Sequence, residues 1–121
     1  MTKTYYSWKY KLHDMIKKFK EWILVKNKID DRKYKPPYVQ EHDIWWVNIG
    51  ENVGREINGK GDNFARPVYI YKKLSLTLFL CIPMTSKIKI GSWFVQIKQS
   101  YKISTLCLHQ IRIIDYKRLM N

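Results

Sequence analysis

Two adjacent prolines, Pro36 and Pro37, separate two parts of the chain that differ in hydrophobic periodicity. Residues 1–40 contain no glycine, and their apolar residues recur every three or four positions, as on one face of an α-helix. This stripe consists of Trp8, Leu12, Met15, Ile16, Phe19, Trp22 and Ile23. Proline cannot continue a helix, because it lacks the backbone N–H. The sequence therefore predicts a basic helical extension with a proline-containing linker over residues 1–40, and a second domain over residues 41–121.

The second part has the period of two that is typical of β-strands. Five strands are predicted, in the segments HDIWWVNI (42–49), RPVYIYKK (66–73), SLTLFLCIP (75–83), SWFVQIK (92–98) and STLCLHQIRII (104–114). Around the third strand, one parity is shared by Leu74, Leu76, Leu78, Leu80 and Ile82. A loop between the first two strands contains four of the five glycines. Short strands joined by turns predict a mainly β fold with helices, as a small antiparallel barrel or sheet.

The chain carries a large excess of positive charge. Of its 121 residues, 23 are Lys or Arg and 10 are Asp or Glu, so the net charge is +13. Solubility alone requires a net charge of only about 2–8 in a small domain. The excess indicates a polyanionic partner. Because Lys, Arg, Trp and Tyr are all abundant, the composition favours nucleic acid over an anionic membrane surface or an acidic protein.

The cysteines and the N-terminus indicate a cellular compartment. Cys81 and Cys107 lie in apolar stretches, as buried free thiols commonly do, and they form no CxxC motif. The N-terminus has no apolar core of a signal peptide, and no apolar run is long enough to span a membrane. We therefore expect a cytoplasmic protein in a reducing environment, with no membrane partner, metal or cofactor.

Four segments of the second part, in order, resemble the MazF/PemK toxins of bacterial type II toxin–antitoxin systems, and their PemK-like branch in particular. The segments are DIWWVNIGENVGREINGKG (43–61), RPVYI (66–70), CIPMTS (81–86) and HQIRIIDYKRL (109–119). The resemblance implies a small SH3-like antiparallel β-barrel that forms a homodimer. It also implies a metal-independent, sequence-selective endoribonuclease that cleaves single-stranded mRNA. A cognate antitoxin protein would neutralise this toxin, and their complex would bind DNA.

The N-terminal extension lies outside the resemblance. Members of the family commonly continue past the KRL segment into a C-terminal helix, whereas this sequence ends at Asn121. The predicted helix could dock on the β-domain in place of that C-terminal helix, or its lysine-rich face could extend an RNA-binding surface. A basic amphipathic helix could also lie on a membrane surface. A role in antitoxin binding or self-inhibition is a further alternative.

The resemblance implies catalytic roles for Arg66 of the RP motif and Thr85 of the PMTS motif. A guanidinium can bind a phosphate bidentately but rarely loses its proton, so we expect electrostatic stabilisation of the transition state. Thr85 would offer its hydroxyl to a phosphate oxygen, with Ser86 in the same turn. Arg66 shares the parity of Val68 and Ile70, which predicts that it faces the core side of its strand. The alternatives are a structural salt bridge for Arg66 and a turn-capping hydroxyl for Thr85.

Other residues matched by the resemblance have weaker assignments. Glu56 could orient the catalytic arginine, act as a base, or be a solvated loop carboxylate. Gln110 could bind a base edge and Arg112 a phosphate, or both could stabilise the fold through hydrogen bonds. Lys60 and Lys87 could contact phosphates or contribute only general surface charge. The glycine-rich loop is expected to contact the RNA and to determine sequence preference.

Two other functions are compatible with the same sequence. Some toxins with this barrel bind DNA gyrase and catalyse no reaction, and an inactive RNA-binding homologue is also conceivable. The presence of both the RP and the PMTS motifs argues against a protein-binding toxin, because such a protein does not need a catalytic pair.

Overall fold

The computed structural model describes residues 18–120 of the chain. In this part the chain is helical over residues 18–30, which we call α1, followed by a linker up to the first strand. The N–H of Asp31 donates to the carbonyl of Asn27 at 3.1 Å in the last turn of α1. Four positions of the predicted stripe lie outside the described residues, namely Trp8, Leu12, Met15 and Ile16.

The buried face of α1 is narrower than the predicted stripe. Trp22 and Ile29 are buried and Val25 packs against them, with the spacings of three and four that place side chains on one helix face. Ile23, which was expected to widen the stripe, is 55% exposed. The helix therefore contacts the rest of the protein along a single row of side chains.

Six antiparallel strands follow α1 and belong to one sheet. They are β1 (Ile44–Asn48), β2 (Ala65–Lys73), β3 (Leu78–Thr85), β4 (Phe94–Gln99), β5 (Lys102–Cys107) and β6 (Arg112–Asp115). The order across the sheet is β1–β2–β3–β5–β4, and β6 also pairs with β3. The first four strands lie within a few residues of the predicted segments.

The predicted fifth strand is in fact two strands. A 3₁₀ turn at Leu108–Gln110 separates β5 from β6. Both strands lie along the same edge of β3: Cys81 pairs with Arg112 of β6, and Met84 pairs with Leu106 of β5. The turn accommodates a shift of three residues in register between these two pairings. A period-two pattern could not predict this break, because it depends on how two strands share one edge of a third.

The main core lies on one face of the sheet. It comprises Val39, Val47, Ile49, Val68, Ile70, Phe79, Cys81, Ile114 and Leu119. On β3 the main-core residues are Phe79 and Cys81. Leu78 of the same strand, which has the opposite parity, is 40% exposed, and Leu76 before the strand is 72% exposed. A second cluster of Ile82, Met84 and Leu106 has the opposite parity on β3 and therefore lies on the other face of the sheet.

The structure confirms an α+β protein with a mainly antiparallel β-domain. It does not confirm the SH3-like barrel, because the six-stranded sheet is open. The C-terminal segment lies against the free edge of β1: Val47 and Leu119 form an isolated bridge, and the N–H of Met120 donates to the carbonyl of Trp46 at 2.8 Å. Within residues 18–120, no helix is both long enough and apolar enough to cross a membrane.

The helix and the linker pack on the β-domain. The Trp22 ring lies 5.4 Å from the Phe64 ring and 5.8 Å from the Arg118 guanidinium carbon. In the linker, Nη1 of Arg32 donates to Oδ1 of Asn48 at 3.2 Å. Of the roles left open for the helix, docking on the β-domain is therefore observed for residues 18–30.

Candidate functional site

Arg66 lies in β2 where the main core ends. Its backbone pairs with Val47 of β1. Val68, two residues later, pairs with Pro83 of β3, so the antiparallel register places Arg66 level with Thr85. Arg66 has the same parity as Val68, so its side chain is on the core side of the strand, as the alternation of the sequence predicts. The two residues of the proposed catalytic pair are neighbours across two strands.

The Arg66 guanidinium is half-buried and binds two backbone carbonyls. Its Nε donates to the oxygen of Asn58 at 2.7 Å, and its Nη1 donates to the oxygen of Met84 at 3.1 Å. Burial lowers the pKa of Arg66 from its ordinary value, with a smaller opposite effect from Cys107. No carboxylate of residues 18–120 affects this pKa, so the salt-bridge alternative has no support there. Three of the five guanidinium N–H groups remain for a ligand.

Thr85 is buried at the end of β3, with 7% of its surface exposed. Its Oγ1 accepts a hydrogen bond from the backbone N–H of Lys87 at 3.3 Å, which is the turn-capping role considered above. Because the oxygen acts as an acceptor in this bond, the hydroxyl hydrogen is available to a phosphate oxygen. Ser86 follows in an exposed bend.

A row of polar side chains crosses four neighbouring strands at this end of the sheet. It begins with Arg66 and Thr85; Thr105 of β5 pairs with Thr85, and Gln96 of β4 pairs with Thr105. Nε2 of Gln96 donates to Oγ1 of Thr105 at 3.3 Å. Thr105 in turn donates to the carbonyl of Lys87 at 2.8 Å. Sequence reasoning missed Thr105 and Gln96, because only strand pairing brings them beside the other two.

Backbone contacts hold the base of the glycine-rich loop (residues 50–63). Gly50 N–H donates to the carbonyl of Phe64 at 3.1 Å, and Gly59 N–H donates to the carbonyl of Gly50 at 2.8 Å. A Cβ at Gly59 would overlap the Phe64 carbonyl, so this close approach requires glycine. The neighbouring Asn58 supplies the carbonyl that accepts from Nε of the proposed catalytic arginine. The loop therefore helps to fix that guanidinium.

Glu56 and Gln110 have structural contacts in the same loop. Glu56 is exposed, and its Oε1 accepts from the N–H of Val53 at 2.8 Å within a turn. Gln110 reaches the loop from the 3₁₀ turn: its Oε1 accepts from Ile57 N–H at 3.0 Å, and its Nε2 donates to the carbonyl of Arg55 at 2.9 Å. Both ends of the Gln110 amide thus bind the loop backbone, which is the fold-stabilising alternative for this residue.

The remaining predicted residues differ in their distance from the pair. Arg112 pairs with Cys81 in the middle of the sheet and donates a long hydrogen bond of 3.5 Å to a backbone carbonyl. It is not next to the polar row. Lys60 is exposed, and its backbone bridges to Ala65, directly before the proposed catalytic arginine. Lys87 is also exposed, two residues after the proposed catalytic threonine. The two lysines therefore flank the site.

Cys107 lies beside the polar row and was predicted only as a buried thiol. It pairs with Phe94 of β4. Burial raises the pKa of Cys107, while Lys89 and Arg66 lower it to a smaller extent. Its thiol is therefore protonated at neutral pH and does not supply a counter-charge to the guanidinium. Both cysteines of the chain are buried and free, as the sequence indicates.

The site as a whole is suited to bind an anion. It combines a half-buried guanidinium with a buried hydroxyl and two exposed lysines. No three His, Cys, Asp or Glu side chains in the described part of the chain lie close enough together to hold a metal ion. Neither a scan against protein-family models nor a search of curated proteins finds a match for this chain.

Proposed function

We propose that the chain is a metal-independent endoribonuclease of the MazF/PemK type, the toxin of a type II toxin–antitoxin system, with a β-domain of the SH3-like barrel type. The observation that best supports this is the environment of Arg66. The guanidinium is half-buried, level with Thr85, and affected by no carboxylate of residues 18–120. A buried charge is costly without a partner of opposite sign. A phosphodiester bound at the site would provide that partner.

In the proposed reaction the 2′-hydroxyl of a ribose attacks the adjacent phosphorus. The P–O bond to the 5′-oxygen of the next nucleotide breaks, the 2′-hydroxyl loses a proton and the 5′-oxygen gains one. The products are a 2′,3′-cyclic phosphate and a 5′-hydroxyl. Negative charge accumulates on the non-bridging oxygens, where the free N–H groups of Arg66 and the hydroxyl of Thr85 would stabilise it. Partial burial strengthens this attraction relative to water.

The surface charge favours a single-stranded RNA substrate. A net charge of +13 attracts the phosphate backbone at long range. Lys60 and Lys87, on either side of the proposed catalytic pair, would contact neighbouring phosphates. Arg112 and Gln110 have a smaller part in this proposal than the resemblance implies, because their side chains bind backbone atoms of the protein.

The proposal includes a homodimer and an antitoxin. The face of the sheet opposite the main core exposes large apolar side chains on three strands. Trp46 of β1 is 57% exposed, Leu78 of β3 is 40% exposed and Ile113 of β6 is 54% exposed. Apolar surface of this kind is typical of a protein–protein interface. We assign it to the homodimer and propose that the antitoxin binds the RNA site.

Replacement of Arg66 tests this function. We expect Arg66→Ala to reduce the rate of cleavage of single-stranded RNA by about 10²-fold or more, because transition-state charge is no longer stabilised. Arg66→Lys should restore little activity, since a lysine cannot reproduce the two N–H directions of the guanidinium fork. The measurement is the initial rate with a labelled RNA pool under single-turnover conditions.

A matched control is Lys102→Ala, which removes an exposed positive charge at the β4–β5 hairpin. It should change the rate by less than about threefold, because surface charge far from the site affects only association. Circular dichroism and thermal melting confirm that each variant is folded. If a folded Arg66→Ala protein cleaves RNA at the wild-type rate, the assignment is wrong.

A protein-binding toxin is the second candidate. The exposed apolar face of the sheet favours it, because that surface could bind a target such as DNA gyrase instead of a second copy. The two candidates differ in whether RNA is cleaved. Toxicity in cells without any RNA fragments carrying 2′,3′-cyclic phosphates would favour the protein-binding toxin.

A further inference from the structure

Three rings form a cluster beside the polar row, and neither the core nor the proposed chemistry uses them. The Trp93 and His109 ring centroids are 6.2 Å apart with an interplanar angle of 34°. Phe94 meets the same histidine edge-on at 5.3 Å. The Lys89 ammonium lies 5.8 Å from the centre of the Phe94 ring. We call Trp93, Phe94, His109 and Lys89 the aromatic cluster.

The backbone holds this cluster firmly at the surface. Leu108 N–H donates to the carbonyl of Trp93 at 2.8 Å, which ties the start of β4 to the 3₁₀ turn that carries His109. Phe94 N–H donates to the carbonyl of Gly91 at 3.1 Å. Even so, Trp93 is 61% exposed. A large aromatic ring in a fixed but open position contributes little to folding, and it is available to a ligand.

The aromatic cluster is adjacent to the catalytic pair through the sheet. Phe94 pairs with Cys107, and Gln96, two residues later, pairs with Thr105 of the polar row. Phe94 and Gln96 have the same parity on β4, so both face the side of the sheet that carries the pair. The electrostatic influence of Lys89 and of Arg66 on the same thiol, that of Cys107, agrees with this closeness.

We propose that Trp93 and His109 form a subsite that stacks an unpaired base of single-stranded RNA next to the phosphate at Arg66. This inference rests on the proposed function, since it takes RNA as the ligand. Exposed aromatic rings bind single-stranded nucleic acid by stacking, and neighbouring cations contact the backbone. Lys89 would bind the phosphate between the stacked base and the scissile bond. Every base has a π-face, so this subsite contributes affinity without strong sequence preference.

An anionic membrane surface is the competing occupant. Ile88 and Ile90, next to the cluster, are 65% and 92% exposed and alternate with lysines. RNA is favoured because Phe94 of the cluster has the strand parity of the polar row that contains the half-buried guanidinium. A lipid surface would leave that guanidinium unused.

The test measures RNA binding separately from cleavage. The probe is a fluorescein-labelled, single-stranded oligoribonucleotide of mixed sequence, with 2′-O-methyl groups that prevent cleavage, and the full chain is titrated by anisotropy. Trp93→Ala should weaken binding by about 5- to 150-fold, as loss of a stacking ring does elsewhere. Trp93→Leu should weaken RNA binding similarly, because leucine keeps the apolar bulk but has no ring on which a base can stack. Trp93→Phe should remain within about threefold of wild type.

The matched control is Tyr101→Ala, which removes an even more exposed aromatic ring, 95% against 61% for Trp93, from the tip of the β4–β5 hairpin. Its RNA affinity should equal that of the wild type. Each variant is also tested by cosedimentation with vesicles of phosphatidylcholine and phosphatidylglycerol. If Trp93→Ala loses vesicle binding but keeps its RNA affinity, the cluster binds membranes and the proposal is overturned.

The outcomes separate this inference from the proposed nuclease. If Trp93→Ala and Trp93→Leu bind the oligonucleotide as tightly as the wild type, the stacking subsite is wrong whether or not the protein cleaves RNA. If both lose affinity while the wild type binds RNA but does not cleave it, the subsite stands and the nuclease assignment fails.

Discussion

At the residue scale, the chain buries several polar side chains around the glycine-rich loop and the polar row. Asn48 is 1% exposed, and its Nδ2 donates to the carbonyl of Asn63 at 2.8 Å, so its burial is compensated. Glu51 is 7% exposed at the start of the loop. Burial raises the pKa of Glu51, and the positive charge of Lys18 lowers it to a smaller extent. This carboxylate therefore destabilises the folded protein at neutral pH.

Replacement of Glu51 should reveal this cost. The folded-state pKa is raised, so the folded protein retains the proton at a higher pH than the unfolded chain. Stability from this group is thus fully present below its ordinary pKa of 4.5 and declines as pH rises through the folded-state value. Glu51→Gln should raise the melting temperature at pH 7 by about 4 °C, or on the order of 1 kcal/mol.

The gain from Glu51→Gln should shrink as the pH is lowered to about 4.5 and below, where the wild-type carboxyl is protonated in both states. Thermal melts of the two proteins across this pH range provide the measurement. An equal gain at acidic and neutral pH would show that charge burial is not the cause.

The orientation of Arg66 could be read from the sequence, because strand parity alone determines which face a side chain takes. The contacts of Gln110 could not be read from the sequence. Its amide binds the backbone of residues 55 and 57, more than 50 positions away, and nothing local to Gln110 indicates this pairing. For the same reason, the carbonyl of Asn58 was not foreseen as a partner of the guanidinium.

At the element scale, α1 supports the base of the glycine-rich loop. Trp22 packs against Phe64 at one end of the loop and against Gly50 at the other. Gly50 has a φ of +93°, and a Cβ there would overlap the Trp22 indole. The absence of a side chain at this position therefore allows the helix to dock where the loop begins and ends.

Two glycine variants separate strain from contact. Gly54 also has a positive φ, +55°, but an added Cβ there would meet nothing within 4 Å. Gly54→Ala should cost about 1–2 kcal/mol of unfolding free energy from backbone strain alone. Gly50→Ala should cost about 1–3 kcal/mol more, because it also displaces Trp22. Chemical denaturation monitored by circular dichroism provides both values.

The double variant Trp22→Ala/Gly50→Ala checks the cause of this difference. Without the indole, the added methyl group meets no ring, so the two single effects should not add. If the double variant loses the full sum of the two single losses, Gly50 does not act through Trp22.

The elements themselves were only partly predictable. Hydrophobic periodicity identified the helix and four strands, since each buries one face and the period follows from backbone geometry. The turn at Leu108–Gln110 was missed because it is a response to the pairing of β3 with two strands. The exposed parity of Leu76 and Leu78 was not foreseen either, since alternation does not tell which of two apolar faces is covered.

At the scale of the whole molecule, charge and architecture lead to one account. A net charge of +13 favours a polyanionic partner, and the open end of the sheet brings together the proposed catalytic pair, two flanking lysines and the aromatic cluster. The composition predicted a polyanionic partner but not its binding face, because formal charge carries no information about position. Closure of the barrel and the homodimer remain part of the proposal.

The chemistry of the product ends is the decisive test of RNA cleavage by 2′-hydroxyl attack at Arg66. Purified protein is incubated with single-stranded RNA in excess EDTA, and the fragment ends are analysed by mass spectrometry. We predict fragments with 2′,3′-cyclic phosphates and 5′-hydroxyls from the wild type, and intact RNA from Arg66→Ala. Intact RNA with the folded wild type, or fragments that end in 3′-hydroxyl groups, would contradict this prediction.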